Sequence, residues 1–135
     1  MSVKKVIIYV DGAARGNPGP AAIGATIRDE RGNLISSISQ RIGITTNNQA
    51  EYQAIITALK TAIGAGAKYV ELKSDSELVV KQLKGIYRVK NLDLKALHEQ
   101  VRQLIASLKD FSIIHIPREQ NTGADKLANQ ALDLP

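Results

Sequence analysis

Two hydrophobic periods divide the sequence into short segments. Residues 3–10 (VKKVIIYV) hold an unbroken apolar run behind a basic pair, which predicts a central strand covered on both faces. Residues 12–20 (GAARGNPGP), with three Gly and two Pro, read as a loop. Residues 21–29 and 33–42 are rich in β-formers and flank Glu30-Arg31-Gly32-Asn33, a hairpin signal. The period then lengthens. Over 47–64, Ile55, Ala58, Leu59, Ala62 and Ile63 share one helical face, and Gly64 and Gly66 stop it. Residues 69–74 (YVELKS) predict a strand. Asp75 or Ser76 caps a helix that carries Leu78, Val79 and Leu83 and stops near Gly85. Residues 92–108 are amphipathic through Leu94, Leu97, Val101, Leu104, Ile105 and Leu108. A strand over 111–116 ends at Pro117, and Asn121 or Thr122 opens a last helix to 132. The order β-β-β-α-β-α-α-β-α predicts an α/β fold. Its mixed sheet has three hairpin-connected strands, and the strands near 6–10, 69–74 and 111–116 run parallel.

Composition narrows the class. The 135 residues suffice for one domain spanning 1–135, and 44% hydrophobic with 23% charged residues is the balance of a globular chain. The absence of cysteine excludes a disulfide scaffold, a thiolate zinc site and a cysteine nucleophile, and fits a reducing compartment. The run VIIYV is too short for a membrane span or a signal core, and no later stretch approaches 18 apolar residues. The expectation is a soluble, cytoplasmic protein, with a monomer as the default. A net charge of +5 makes a polyanion a candidate partner.

Four of the thirteen acids stand where ordinary surface charge is not favoured. Asp11 ends the run VIIYV, and Asp75 follows YVELKS. Glu51 lies in the first turn of its helix, on the core-facing stripe with Ile55, Ala58 and Ala62. Asp125 opens the last helix, on one face with Ala128 and Leu132. Taken singly, Asp75 and Asp125 read as caps, and Glu51 as a complement to the helix dipole. Taken together, two strand ends and two helix starts can meet at the carboxyl edge of the parallel strands, where α/β folds build their sites. Gathered carboxylates repel unless cations join them, and an all-oxygen set suits Mg²⁺ or Mn²⁺ rather than Zn²⁺. Two such ions about 3.5–4 Å apart can clamp the attacking and leaving oxygens of a phosphodiester.

The segments YVDGAARGNPGPAAIG, TTNNQAEYQAI, SDSELVV and HIPREQNTGADKLAN resemble the four signature segments of the type 1 ribonuclease H family, in order and over essentially the whole chain. The resemblance implies the ribonuclease H-like fold, a five-stranded mixed sheet flanked by helices. It implies hydrolysis of RNA paired to DNA, leaving 5′-phosphate and 3′-hydroxyl ends. Asp11, Glu51, Asp75 and Asp125 match the family's metal-binding acids, which hold two Mg²⁺, with Mn²⁺ as a substitute. One metal would help deprotonate and aim a water, and the other would stabilise the leaving 3′-oxygen. Gly12, Asn17, Asn47 and Asn48 resemble contacts in the minor groove of the hybrid, where the 2′-hydroxyl marks RNA. Thr46 and Asn91 resemble members of a phosphate pocket for the DNA strand, and Gln49 belongs to the same loop as Thr46. From the residues alone, Gly12, Asn17 and Asn47 also read as turn chemistry.

Two departures from the family stand out. Many members carry a basic, tryptophan-bearing protrusion after the third acid. This chain has no Trp and only KQLKGIYRVKNLDLK, a reduced basic rim of Lys81, Lys84, Arg88, Lys90 and Lys95 suited to phosphates without base specificity. A solvated face is the other reading of those charges, and Tyr87 reads either as a sugar contact or as core. Many members also place a histidine before the last acid. Here PREQNTGAD has none, and Arg118 occupies that loop as an auxiliary that can neutralise phosphate but not act as a base. His115, in the preceding strand, reads as structural or as a groove-facing accessory. This compact form resembles archaeal and some bacterial members, some of which also cut RNA–RNA duplexes. The alternatives to a hybrid-specific enzyme are therefore a nuclease with that relaxed specificity and a hybrid-binding module without catalysis.

Overall fold

The computed structural model describes residues 4–134, so Val3, the first residue of the predicted opening strand, lies outside it. Five strands and four helices follow the predicted order: β1 (Lys5–Ala14), β2 (Gly19–Asp29), β3 (Leu34–Thr45), α1 (Asn47–Gly64), β4 (Tyr69–Ser74), α2 (Glu77–Leu83), α3 (Leu92–Ala106), β5 (Asp110–His115) and α4 (Thr122–Asp133). One 3-10 turn, Arg118–Gln120, precedes α4. The sheet order is β3-β2-β1-β4-β5. β1 pairs antiparallel with β2 and parallel with β4, and β4 pairs parallel with β5. The mixed sheet expected from the sequence is thus the one observed. Among the described residues, no helix is long and apolar enough to cross a membrane.

Side chains alternate across the strands, so each strand serves two faces. Val6, Ile8 and Val10 of β1, Ile23, Ala25 and Ile27 of β2, and Val70 and Leu72 of β4 form one buried layer with Tyr52, Ile55 and Leu59 of α1. Leu94 and Val101 anchor α3 to the same core. α4 lies on the opposite face, over β1, β2 and β3. That face of β1 is only half covered, and Ile7 and Tyr9 keep partial exposure, where the apolar run predicted burial on both sides.

One boundary matters for function. β1 does not end at Asp11. Gly12, Ala13 and Ala14 continue it by pairing with Ile23, Ala22 and Ala21, and the predicted 12–20 loop shrinks to residues 15–18. These small residues offer no polar side chain to compete with the ladder, and the Arg15 N–H donates to Pro20 O at 2.8 Å to close the turn. The other hairpin forms as predicted, with the Asp29 carboxylate accepting from the N–H groups of Arg31 and Asn33.

Candidate active site

β4 stops at Ser74, opposite Val10 of β1, while β1 runs on. Asp75 therefore leaves the sheet beside Asp11. Ser74 turns the chain there, its hydroxyl accepting from the Ser76 N–H at 3.1 Å. Ser76, not Asp75, caps α2 by accepting from Val79 N–H. Asp75 is left uncommitted as a cap and half-buried.

Glu51 arrives from α1. That helix begins at Asn47, so Glu51 sits just past the first turn rather than within it, and the dipole reading does not apply. Thr46 and Gln49 set the start through a reciprocal capping box, which makes Gln49 a helical residue rather than a loop one. Gly12 fixes how near α1 comes. A Cβ on Gly12 would lie 2.2 Å from the Ala50 carbonyl carbon, so only glycine admits this approach. The Gly12 N–H then donates to Glu51 Oε1 at 2.7 Å.

Asp11, Glu51 and Asp75 each offer an oxygen, and these oxygens lie within 4.8 Å of one another. Burial, reinforced by the negative charge of Asp75, pushes the Asp11 carboxyl up to about 7. Glu51, 5% exposed, is driven well above the usual carboxylate range by burial and then by the charge of Asp11. Its Oε2 is buried with no hydrogen-bond partner among the described residues. An all-oxygen set, mutual repulsion and an orphaned buried acceptor are together what a hard divalent cation relieves, so these residues fit a metal site. Asp125, in the first turn of α4, lines the same open pocket of about 310 Å³. Asn129 donates to its Oδ1 at 3.3 Å, and Arg118 lies 3.7 Å from that oxygen.

Several other predicted residues border this pocket. Gly12, Asn47 and Arg118 line it. Asn47 accepts from the Ala14 N–H at 3.0 Å, and its own N–H donates to Asn17 Oδ1 at 3.0 Å. Asn48 lies in the first turn of α1. Asn91 does not line this pocket; it caps α3, accepting from Leu94 N–H at 3.1 Å. Of the basic rim, Lys84, Arg88 and Lys90 are exposed. Lys81 pairs with Glu77 at 2.6 Å and sits over the Tyr87 ring, its ammonium 4.9 Å from the centroid. Tyr87 is 43% exposed and so is not core. His115 is exposed at the end of β5, which rules out a buried structural role.

One residue reads from the sequence only as a cap. Asn121 is buried, and its side chain caps nothing. It reaches Val10 O and Asp75 instead. Its only mark in the sequence is its place four residues before Asp125, which does not tell a cap from a tether.

A family model described as reverse transcriptase-like matches residues 9–131. Ribonuclease HI of Halobacterium salinarum is 46% identical over 129 residues, covering 96% of this chain and 65% of that protein. The crystal structure of ribonuclease H1 from the same organism superposes with a TM-score of 0.93, over 96% of this chain and 98% of that one. LC11-RNase H1, solved in complex with an RNA/DNA hybrid, is 46% identical with a TM-score of 0.91, over 95% of this chain and 96% of the other. A bifunctional protein of Mycobacterium tuberculosis is 41% identical over 130 residues, 96% of this chain but 36% of its own length. The chain thus spans less than two thirds of these two curated relatives.

Proposed function

The chain belongs to the reverse transcriptase-like, ribonuclease H1 family, and on that basis we propose that residues 1–135 act as one endoribonuclease unit on the RNA strand of RNA/DNA hybrids in the cytoplasm. The observation that carries this reading is the convergence of Asp11, Glu51 and Asp75, with the buried, partnerless Glu51 Oε2 among them. Asp11, Glu51, Asp75 and Asp125 are the proposed ligands of Mg²⁺. When bound, Mg²⁺ supplies the positive charge that activates a water and offsets charge on the leaving 3′-oxygen.

The protein's own groups do the positioning. Gly12 N–H holds one Glu51 oxygen and leaves the other free to bind. Asn17 and Asn47, tied by a 3.0 Å hydrogen bond, form an amide edge beside the carboxylates. Amides donate and accept, which suits a 2′-hydroxyl that does both. Arg118, 80% exposed at its side chain and poised over Asp125, supplies a permanent positive charge where phosphate would arrive.

The test is cleavage of one labelled RNA strand, paired to DNA or to RNA, in Mg²⁺ and in EDTA. Metal-dependent cleavage of the hybrid with 5′-phosphate products is expected, and Asp75→Asn should fold yet lose at least about 100-fold in kcat. Full activity of Asp75→Asn would overturn the assignment. Cleavage of both duplexes would place the chain with the relaxed-specificity nucleases, and tight hybrid binding without cleavage would make it a binding module.

A further inference from the structure

We infer that Asn121 is a positioning residue for the cation site: its side-chain amide ties the Asp75 carboxylate to the β1 backbone next to Asp11, and so sets how tightly the cluster holds a divalent ion. The inference rests on the metal-site reading above and adds to it the device that spaces the ligands.

The problem it solves arises from the strand ends. Through Val10 and Ser74 the two parallel strands hold each other in register. One residue later β4 has ended, and the pairing of the two strands no longer constrains Asp75. Asn121 spans that break. Its Nδ2 donates to Val10 O at 2.8 Å, and the same NH₂ group lies 3.4 Å from Asp75 Oδ2. The residue is itself held by its backbone, its N–H donating to Arg118 O at 2.9 Å. Its carbonyl accepts from the Asp125 N–H at 3.1 Å. One side chain and its own peptide groups therefore touch the residue before Asp11, the carboxylate of Asp75 and the backbone of Asp125.

A second observation separates this from ordinary hydrogen bonding. Asn121 is 1% exposed, and its Oδ1 is buried without a partner. The reversed amide would set an oxygen against the Val10 carbonyl, so the donor side has to face the site. Leaving a buried acceptor unmatched is costly, and apolar side chains of similar size would avoid that cost. What they would lose is the two-way donor. A group that orients first-sphere carboxylates from outside is commonly worth 10–100-fold in metal affinity.

The experiment is Mn²⁺ titration by calorimetry on folded protein without substrate, for the wild type, Asn121→Ala, Asp75→Asn and the double variant, each also followed by thermal melting. The expected result is Mn²⁺ binding weakened about tenfold or more in Asn121→Ala, with hybrid binding in EDTA unchanged. In the Asp75→Asn background the same substitution should cost less, because the carboxylate it steers is gone. A lowered melting temperature with unchanged Mn²⁺ affinity would make Asn121 merely structural and overturn the inference. An equal loss in both backgrounds would overturn it too. If Asp75→Asn itself leaves Mn²⁺ binding intact, the metal site fails along with its tether, an outcome distinct from failure of the tether alone. Should Asn121→Ala not fold, Asn121→Ser, whose hydroxyl is too short to span both acceptors, is judged by the same outcomes.

Discussion

A buried acid that holds its proton too long leaves a mark on stability as well as on chemistry. In the metal-free protein the Asp11 carboxyl sits at about 7, against an ordinary value of 3.8. Between those values the folded state keeps a proton that the unfolded chain has released. The linkage sign is then negative, and stability falls as pH rises through that window. Glu51, raised by the same burial, acts in the same direction. The exposed carboxyls of Asp29, lowered by hydrogen bonds from Asn33 and Arg31, and of Glu77, lowered by Lys81, act oppositely but below their ordinary values, at more acidic pH. At about 1.4 kcal/mol per pH unit, the Asp11 effect across the window is about 4 kcal/mol. Thermal melts in EDTA should therefore show the melting temperature dropping from about pH 4.5 to about pH 8, with Asp11→Asn flatter and more stable at the upper end. Saturating Mg²⁺ should remove most of the drop, because it binds the deprotonated cluster. A wild-type melting temperature that rises over this range would contradict the burial argument.

Elements meet at this site through close backbone approaches, and one of these sits directly across the sheet from Asp11. Gly24 is the β2 partner of Asp11, and a Cβ there would lie 2.1 Å from Ala124 O and 2.6 Å from Ala128 N of α4. Gly24→Ala should push α4 off the sheet, cost about 1–3 kcal/mol in chemical denaturation, and reduce metal-dependent cleavage by moving Asp125 and Asn121. Gly64, with open space around it at the end of α1, is the control. There alanine should be neutral or stabilising by up to about 1 kcal/mol, and a matching loss at both positions would refute the steric account. The sequence foretold the helices well because each carries its own stripe: Leu94, Leu97 and Val101 declare α3 without help from any neighbour. That Asp11, Glu51 and Asp75 meet was legible because two of them follow predicted parallel strands and the third lies on the core-facing stripe of the neighbouring helix. The sequence did not show that β1 runs on to Ala14, that Gly24 makes room for α4 or that Asn121 bridges two strands. Each of these depends on a partner seven or more residues away, and local period and turn chemistry cannot register it.

Charge acts over the molecule as a whole. The net charge of +5 is not spread evenly in its effect, since Arg15 is paired with Asp133 and Lys81 with Glu77. Among the described residues, Lys84 at the end of α2 and Arg88 and Lys90 in the link to α3 make no ion pair, and all are exposed beside Ile86 and Tyr87. Should a duplex seated over the carboxylate pocket reach this rim, its phosphates would meet cations that release counterions without reading bases. The triple variant Lys84→Ala, Arg88→Ala, Lys90→Ala should raise KM for the hybrid while kcat in saturating Mg²⁺ holds. The slope of log affinity against log salt should flatten by up to about 0.9 for each phosphate contact removed. Lys81→Ala should change that slope less, because Glu77 already offsets its charge, yet it frees the Tyr87 ring from the ammonium above it. Measuring hybrid affinity across a salt series for wild type and both variants decides the matter. An unchanged slope in the triple variant would mean that the rim is solvated surface and that the duplex is held by the amide edge and Arg118 alone.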